Sequence, residues 1–193
     1  MVGKNHLRVS VPTLVAGGTA VFALSRCDGA LGEIGLRVLR AFVPAGGVVK
    51  TVLWVLAGLA LYALGTLLPD IDSKGSTLGR FIYLPVRHRT LTHTIWVVLL
   101  LGLLSWKLPL FWWLTFGYFA HIFWDSLSAG GIAWTWPIGR YIYYPNGASV
   151  KKGFRIKLYY TGEASETAVL IGASALMVLF SAGFLLQAFG IWK

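Results

Sequence analysis

The amino-acid sequence contains a short motif that pairs an imidazole with a carboxylate. In Ala-His-Ile-Phe-Trp-Asp, His121 and Asp125 are four residues apart, so a helix would present both side chains on one face. An imidazole nitrogen and a carboxylate oxygen placed in this way can bind the same metal ion. The spacing also suits a hydrogen-bonded His–Asp pair inside a helical bundle, and the motif alone leaves both interpretations open.

Two carboxylates in Leu-Leu-Pro-Asp-Ile-Asp-Ser form a second candidate site. Asp70 and Asp72 follow Pro69, and on an extended chain two side chains at this spacing point the same way. They could bind one metal ion together or bridge two. Pro-Asp and Asp-Ser are also common turn residues, so a purely structural turn is the alternative interpretation.

A third motif, His-Arg-Thr-Leu-Thr-His, combines two histidines with an arginine. The motif begins at His88, and if the following helix starts early, Arg89 and His93 lie on one face of it. A guanidinium group binds phosphate through two parallel hydrogen bonds, and histidine is the commonest metal ligand in proteins. The motif therefore predicts a metal ligand beside a phosphate-binding group, and a purely structural role is the alternative interpretation.

The composition indicates that these motifs are positioned by membrane helices. Of 193 residues, 56% are hydrophobic and 12% are charged, and the mean hydropathy is +0.70; soluble domains carry about 25% charged residues. We therefore predict an all-α, polytopic membrane helical bundle that forms a single domain over residues 1–193. An amphipathic pattern within residues 26–47 predicts an interfacial helix. About five transmembrane helices are expected, at residues 9–25, 48–68, 91–106, 108–127 and 168–192.

Threading these helices through a bilayer places the ionisable residues at one membrane face. Ionisable groups at membrane depth are costly, so they should face the protein interior and bind something, here a metal ion. Eleven of the 17 Lys and Arg residues lie on the same side, which predicts that this face is cytoplasmic. The grouped residues are His6, Asp70, Asp72, His88, Arg89, His93, His121, Asp125 and Glu166.

The net charge of +10 has two interpretations. In a soluble protein it would suggest nucleic acid, but basic residues of a membrane protein face anionic lipid headgroups. We therefore expect membrane lipids, and no nucleic acid, as partners.

The ligands expected from the motifs are nitrogen and oxygen atoms without thiolate, and such ligands favour Zn, Mn, Fe or Mg, as one ion or two. Two ions would clamp the oxygens of a phosphoester and acidify a water molecule.

The motifs, taken in order, resemble the YdjM family of bacterial inner-membrane proteins, which are also described as membrane-bound metal-dependent hydrolases. The resemblance covers residues 3–166, and it includes Gly3-Lys-Asn-His6 before the first span and Gly162-x-x-x-Glu166 before the last. It implies a multi-pass protein of the bacterial inner membrane with a hydrolytic activity. His6 and Glu166 enter the expected metal site through this resemblance as well.

The sequence is also similar, more loosely, to bacterial zinc-dependent phospholipase C, another all-helical enzyme. This similarity implies that zinc is the preferred metal. It implies an inner metal site made of Asp72, His93, His121 and Asp125. The residues expected to hold a second ion or to surround the first are Asp70, His88, His6 and Glu166, and those expected to bind the substrate are Arg89, Arg140, Lys151 and Lys152.

The function expected from the sequence is hydrolysis of a phosphoester in a lipid or similar amphiphile by metal-activated water. Asp70 or Asp72 would act as general base, and His88 and Arg89 would be the other catalytic residues. Aromatic residues around Trp134 suit a wall at headgroup level or an ordinary interfacial belt. The alternatives are a metal transporter and a non-enzymatic scaffold with a structural ion. A metalloprotease is disfavoured because the sequence has no His-Glu-x-x-His.

Overall fold

The protein is a bundle of helices with one small hairpin. The computed structural model describes residues 3–44, 46–139, 141–143, 150–152, 154 and 156–188. These ranges contain six α-helices and a two-stranded antiparallel sheet, so the predicted all-helical class is confirmed and the short hairpin is an addition to it. The elements are α1 (Gly3–Ser25), α2 (Ala30–Phe42), α3 (Val48–Leu67), α4 (Ile95–Lys107), α5 (Phe111–Leu127), β1 (Ile142–Tyr143), β2 (Val150–Lys152) and α6 (Ala164–Ala188).

Among the residues that the structure describes, three helical segments are long and apolar enough to cross a membrane by length and composition. They are Asn5–Ser25, Val48–Asp72 and Ala164–Gln187. Helix α4 has 13 residues and α5 has 17, both shorter than the roughly 20 residues that span the hydrocarbon core. That these two helices also cross remains a prediction. Helix α4 begins later than predicted, because Leu91–His93 forms a separate 3-10 turn before it.

Helices α3 and α5 pack with their backbones in contact. A Cβ atom on Gly65 would lie 2.2 Å from the carbonyl oxygen of Leu114, and one on Gly117 would lie 2.2 Å from that of Tyr62. Small residues at such crossings let membrane helices approach closely enough for direct interhelical hydrogen bonds. The first half of α5 therefore lies directly against the C-terminal half of α3.

Helix α1 is attached to this pair by polar side chains within an apolar core. The Tyr62 hydroxyl of α3 donates to the Ser10 carbonyl (2.7 Å), and the Trp124 indole of α5 donates to the Thr13 hydroxyl (3.0 Å). Val9 packs with Trp124 in a buried cluster that extends to α6. These contacts fix the first turns of α1 beside the last turns of α5.

Residues 156–159, which follow the hairpin, pair with the end of α5. The last carbonyls of a helix lack partners within it, and here Ile156 and Leu158 donate their backbone N–H groups to Ser126 and Leu127. The hydroxyl of Tyr159 donates to the Trp124 carbonyl (2.6 Å). Burial raises the pKa of Tyr159, so the phenol remains a donor. The segment therefore holds the end of α5 in place.

Candidate metal centre

The ionisable side chains predicted to share one membrane face lie together at one end of the bundle. They come from the start of α1, the Leu68–Asp72 turn after α3, the loop and turn before α4, and the last turns of α5. Helices α1, α3, α4 and α5 alternate in direction along the chain, so the ends of α3 and α5 lie at the same end of the bundle as the start of α1. The residues joined by ion-pair contacts are His6, Asp70, Asp72, His88, Arg89, His93, His121 and Asp125.

Asp125 lies at the centre of this group. Its Oδ1 is 3.2 Å from Nε2 of His6, and its Oδ2 is 3.5 Å from Nε2 of His93 and 3.9 Å from Nε2 of His121. The Arg89 guanidinium approaches Oδ2 to 3.3 Å. The carboxylate is almost completely buried, and a buried charge requires compensation by opposite charge.

Asp70 faces the same two imidazole nitrogens. Its Oδ1 lies 3.5 Å from Nε2 of His121 and 3.8 Å from Nε2 of His93. These separations exceed those of hydrogen bonds. Two ligands that each bind one tetrahedral ion at about 2.1 Å lie about 3.4 Å apart. The spacing of the two carboxylates and the two imidazoles therefore fits ligands that share an ion.

His121 is oriented by a backbone carbonyl of α3. Its Nδ1 lies 2.7 Å from the carbonyl oxygen of Thr66, and because a carbonyl only accepts, the proton must be on Nδ1. Nε2 then presents its lone pair to the carboxylates, as in metal-binding histidines whose second nitrogen is held by an outer partner. The contact depends on the close packing of α3 and α5.

Several nitrogens of this centre are buried without a hydrogen-bond partner. Nε2 of His93, Nε2 of His121 and both ring nitrogens of His6 make no hydrogen bond of good geometry to any residue in the described ranges. Unsatisfied buried polar atoms are costly and call for an explanation. A cation between the imidazoles and the carboxylates removes the cost, so the donor set fits a divalent metal ion.

Asp72 faces the Nδ1 atoms of His88 and His93. Its Oδ1 lies 2.6 Å from Nδ1 of His88, and its Oδ2 accepts a hydrogen bond from the Thr92 hydroxyl and is 3.6 Å from Nδ1 of His93. A carboxylate on the Nδ1 side fixes the orientation of an imidazole. The similarity to phospholipase C implies that Asp72 belongs to the inner ligands, whereas its position suits an orienting carboxylate.

Within the described part of the chain, the candidate ligands form two groups of three. In each group, one nitrogen or oxygen per residue lies within 4.8 Å of the other two. The rings of His6 and His121 stack with a centroid separation of 3.7 Å. The donor set therefore suits one or two ions, and it does not identify the metal. The groups are His6, His121 and Asp125, and Asp70, His88 and His93.

Glu166 holds the start of α1 next to this centre. Its Oε1 accepts from the Asn5 amide nitrogen (3.0 Å), and its Oε2 accepts from the Gly162 backbone (2.6 Å). Neither group of candidate ligands found among the described residues contains Glu166. The arrangement suits a residue that positions His6 through its neighbour. Asn5 was missed by sequence reasoning, although its place beside His6 was a usable signal.

The guanidinium group of Arg89 makes hydrogen bonds and an ion pair within the protein. One terminal nitrogen donates to the Ser128 hydroxyl (3.1 Å) and the Gly131 carbonyl (3.2 Å), and the other faces Asp125. The φ of 61° at Arg89 lies in the left-handed region, which is costly for a residue with a side chain and must be held by the surrounding contacts. Sequence reasoning missed Ser128 and Gly131, because they become partners only when the chain folds back after α5.

The basic residues predicted to bind substrate are not all covered by the structure. Arg140 lies outside the described residues. Lys151 and Lys152 belong to β2, and their side chains lie outside the described part of the chain. Their predicted contact with a substrate phosphate stays a prediction.

A helical bundle with apolar spanning segments and a buried His–Asp centre at one end defines a membrane protein with a candidate metal site. Residues 34–189 match the sequence profile of the YdjM inner membrane protein family. The match covers most of the chain, which therefore belongs to this family, as the motifs predicted. No curated protein and no solved structure matches the chain. The similarity to phospholipase C stays a prediction.

Proposed function

We propose that the protein is a membrane-bound, metal-dependent hydrolase that cleaves a phosphoester of a lipid or a similar amphiphile. The observation that carries the proposal is the placement of two imidazole nitrogens, from His93 and His121, between the carboxylates of Asp70 and Asp125 at 3.5–3.9 Å. A purely structural network would close to hydrogen-bond distances of about 2.7–3.2 Å. The wider spacing suits ligands arranged around a cation.

Asp70, Asp125, His93 and His121 would hold the ion, and His6 would complete its coordination, with His88 left outside the coordination set. Nitrogen and oxygen donors are compatible with Zn²⁺, which we favour, and with Mn²⁺, Fe²⁺ or Mg²⁺. A divalent cation supplies Lewis acidity, which polarises phosphoryl oxygens and lowers the pKa of water.

The opening of the centre lies at His88 and Asp70. Their side chains are 23% and 11% exposed, whereas those of His93, His121 and Asp125 are at most 1% exposed. A substrate therefore reaches the centre at this edge. The closed remainder excludes water, which strengthens electrostatic interactions within it.

Proton transfer is assigned to the two groups at the opening. Asp70 turns Oδ1 to the two imidazoles, and its other carboxylate oxygen would accept a proton from the attacking water as general base. His88, whose Nδ1 is held by Asp72, is positioned to give a proton to the leaving oxygen, in the way that a carboxylate orients an imidazole in a catalytic triad. Arg89 acts through Asp125, whose charge it offsets.

We further propose that all five apolar helices cross the bacterial inner membrane and that the centre lies at its cytoplasmic face. Lys and Arg residues concentrate on the side of the chain that carries the centre, and this bias marks cytoplasmic segments. Membrane lipids are then the partners on that side, consistent with a lipid-derived substrate.

The test is phosphoester hydrolysis by the purified protein in detergent, with Zn²⁺, Mn²⁺ or Mg²⁺ supplied separately and a panel of phospholipids and lipid phosphates as substrates. Wild type should release the polar product with at least one metal. Asp70→Asn should lose at least 100-fold in kcat, because general base catalysis contributes about 10²–10⁴-fold. Asp28→Asn, at an exposed position on the opposite side of the bundle, is the matched control and should keep full activity.

Wild-type protein that binds metal but hydrolyses none of these substrates would overturn the hydrolase proposal and favour a structural ion. Equal loss of activity in Asp70→Asn and Asp28→Asn would overturn the assigned site.

A further inference from the structure

The loop of residues 73–90, here called the rim loop, borders the opening of the candidate metal centre. It contributes His88 to the opening. The Ser76 hydroxyl donates to the backbone carbonyl of Asp70 (2.7 Å), and the Leu84 N–H donates to the carbonyl of Ile71 (2.9 Å). The rim loop is therefore fixed to the turn that carries the two aspartates.

The rim loop exposes two large apolar side chains. Phe81 is 84% exposed, more than any other large hydrophobic residue in the described ranges, and Ile82 is 69% exposed. The backbone N–H groups of both residues donate to the Leu78 carbonyl at 2.9 Å. A Cβ atom on Gly79 would lie 2.0 Å from the carbonyl of Ser73, so only glycine fits this turn. A defined turn therefore presents the two side chains outward.

The rim loop also carries basic residues and has no acidic residue. Lys74 and Arg80 are exposed, and the Lys74 ammonium group lies 4.9 Å from the centre of the Tyr83 ring. Segments that combine exposed aromatic or aliphatic residues with Lys and Arg bind at the boundary of headgroups and acyl chains, and anionic lipids strengthen the binding. Charge and apolarity thus both match an anionic membrane surface.

We propose that the rim loop inserts into the lipid headgroup layer and brings the opening of the centre against the membrane. Phe81 and Ile82 contact acyl chains, while Lys74 and Arg80 face lipid phosphates. The substrate class that follows is a phospholipid or related anionic amphiphile, taken sideways from the leaflet rather than from solution. The substrate class rests on the proposed function, whereas the membrane contact does not.

The membrane contact is tested with spin labels in vesicles of phosphatidylethanolamine and phosphatidylglycerol. Cys27 is the only cysteine, so Cys27→Ser provides a clean background for Ile82→Cys. Gly75→Cys is the matched control in the same loop, because a side chain there meets nothing within 4 Å. Power saturation then compares the collision of each label with oxygen, which concentrates in lipid, and with a water-soluble nickel complex.

The label at Ile82 should collide mainly with oxygen and the label at Gly75 mainly with the nickel complex. Equal nickel accessibility at the two positions would overturn the insertion. A label at Ile82 that is shielded from both reagents would also overturn it, because a protein partner or a second copy would then cover this part of the rim loop.

The substrate class is tested by hydrolysis with the variant Phe81→Ser/Ile82→Ser. Loss of two large apolar contacts with lipid should lower the rate on vesicle lipid at least tenfold. The rate on a short-chain, water-soluble analogue should stay within twofold of wild type. Equal losses on both substrates would overturn delivery from the membrane. Wild type that hydrolyses neither substrate would overturn the proposed function, while the spin-label result would still decide the membrane contact.

Discussion

The two halves of the helical bundle differ in what they bury. The half that contains the ends of α3 and α5 buries imidazoles and carboxylates within 4 Å of one another. The other half contains an apolar cavity of about 580 Å³ between α1, α2, α4 and α5, lined by residues such as Leu14, Phe42 and Phe116. Asp28 and Glu33, the acidic residues of the side on which α2 lies, are exposed.

This difference bears on what the ligands do. A transporter needs polar groups along the whole path across the membrane, because an ion cannot cross an apolar layer without them. In the described part of the bundle, the candidate ligands lie at one end, and the interior of the other half buries hydroxyl groups such as those of Ser105 and Thr115 but no charged side chain. The contrast supports chemistry at one membrane face over transport through it.

The largest expected effect comes from removing the carboxylate at the centre of the polar half. Asp125→Ala should lower the free energy of unfolding by about 3–5 kcal/mol, because Arg89 is left with a buried charge and without this counterion. Unfolding in mixed micelles with increasing denaturing detergent, followed by circular dichroism, measures the change. Asp28→Ala, at an exposed site, should stay within about 0.5 kcal/mol of wild type. Similar losses in both variants would contradict the contrast between the halves.

A smaller effect is expected where α3 and α5 touch. Gly117→Leu should cost about 1–3 kcal/mol by overpacking, because the added side chain meets the Tyr62 carbonyl. It should also weaken metal binding, since His121 loses its contact with α3. The same unfolding assay with a metal titration tests both effects. Gly102→Leu, where a side chain meets nothing within 4 Å, is the control, and comparable damage there would count against the close-packing explanation.

Glu166 positions the start of α1, and its substitution should act selectively on metal affinity. Glu166→Gln weakens the hold on Asn5 and should lower metal affinity about 10–100-fold, as for other outer partners of metal ligands. Competition with a coloured chelator measures the affinity. Glu163→Gln, in an exposed position, is the control. Unchanged affinity in Glu166→Gln would remove its positioning role, and complete loss would indicate a direct ligand.

The smallest effect is expected in the apolar half. Gly18 lines the cavity, and a Cβ atom there meets nothing within 4 Å. Gly18→Ala should change stability by less than about 1 kcal/mol, the difference in helix propensity between the two residues, and leave metal binding unchanged. A loss of bound metal in this variant would show that the halves are coupled.

Much of the fold could be predicted because a bilayer imposes a simple rule on sequence. Long apolar stretches become helices, and their alternating direction places chain-distant residues such as His6 and His121 at one end. Hydropathy could not show that α4 starts only at Ile95, because the turn before it is set by local hydrogen bonds such as that from the His93 N–H to the Thr90 carbonyl.

The sequence predicts which residues form the centre better than it predicts what each of them does there. Asp70 and Asp72 are equivalent in sequence, and only the packing shows one facing Nε2 nitrogens and the other facing Nδ1 nitrogens. The partner of His121 is a backbone carbonyl, that of Thr66. No residue type signals such a contact, since it arises from the approach of two helices at Gly65 and Gly117.

The most direct test of the metal centre is elemental analysis of protein purified in detergent without chelators. Wild type should contain one or two equivalents of a divalent metal, as the two ligand groups allow. His121→Ala should lose most of it, and Asp28→Ala should retain it. Wild type without bound metal, or His121→Ala with as much metal as wild type, would contradict the assignment of this centre.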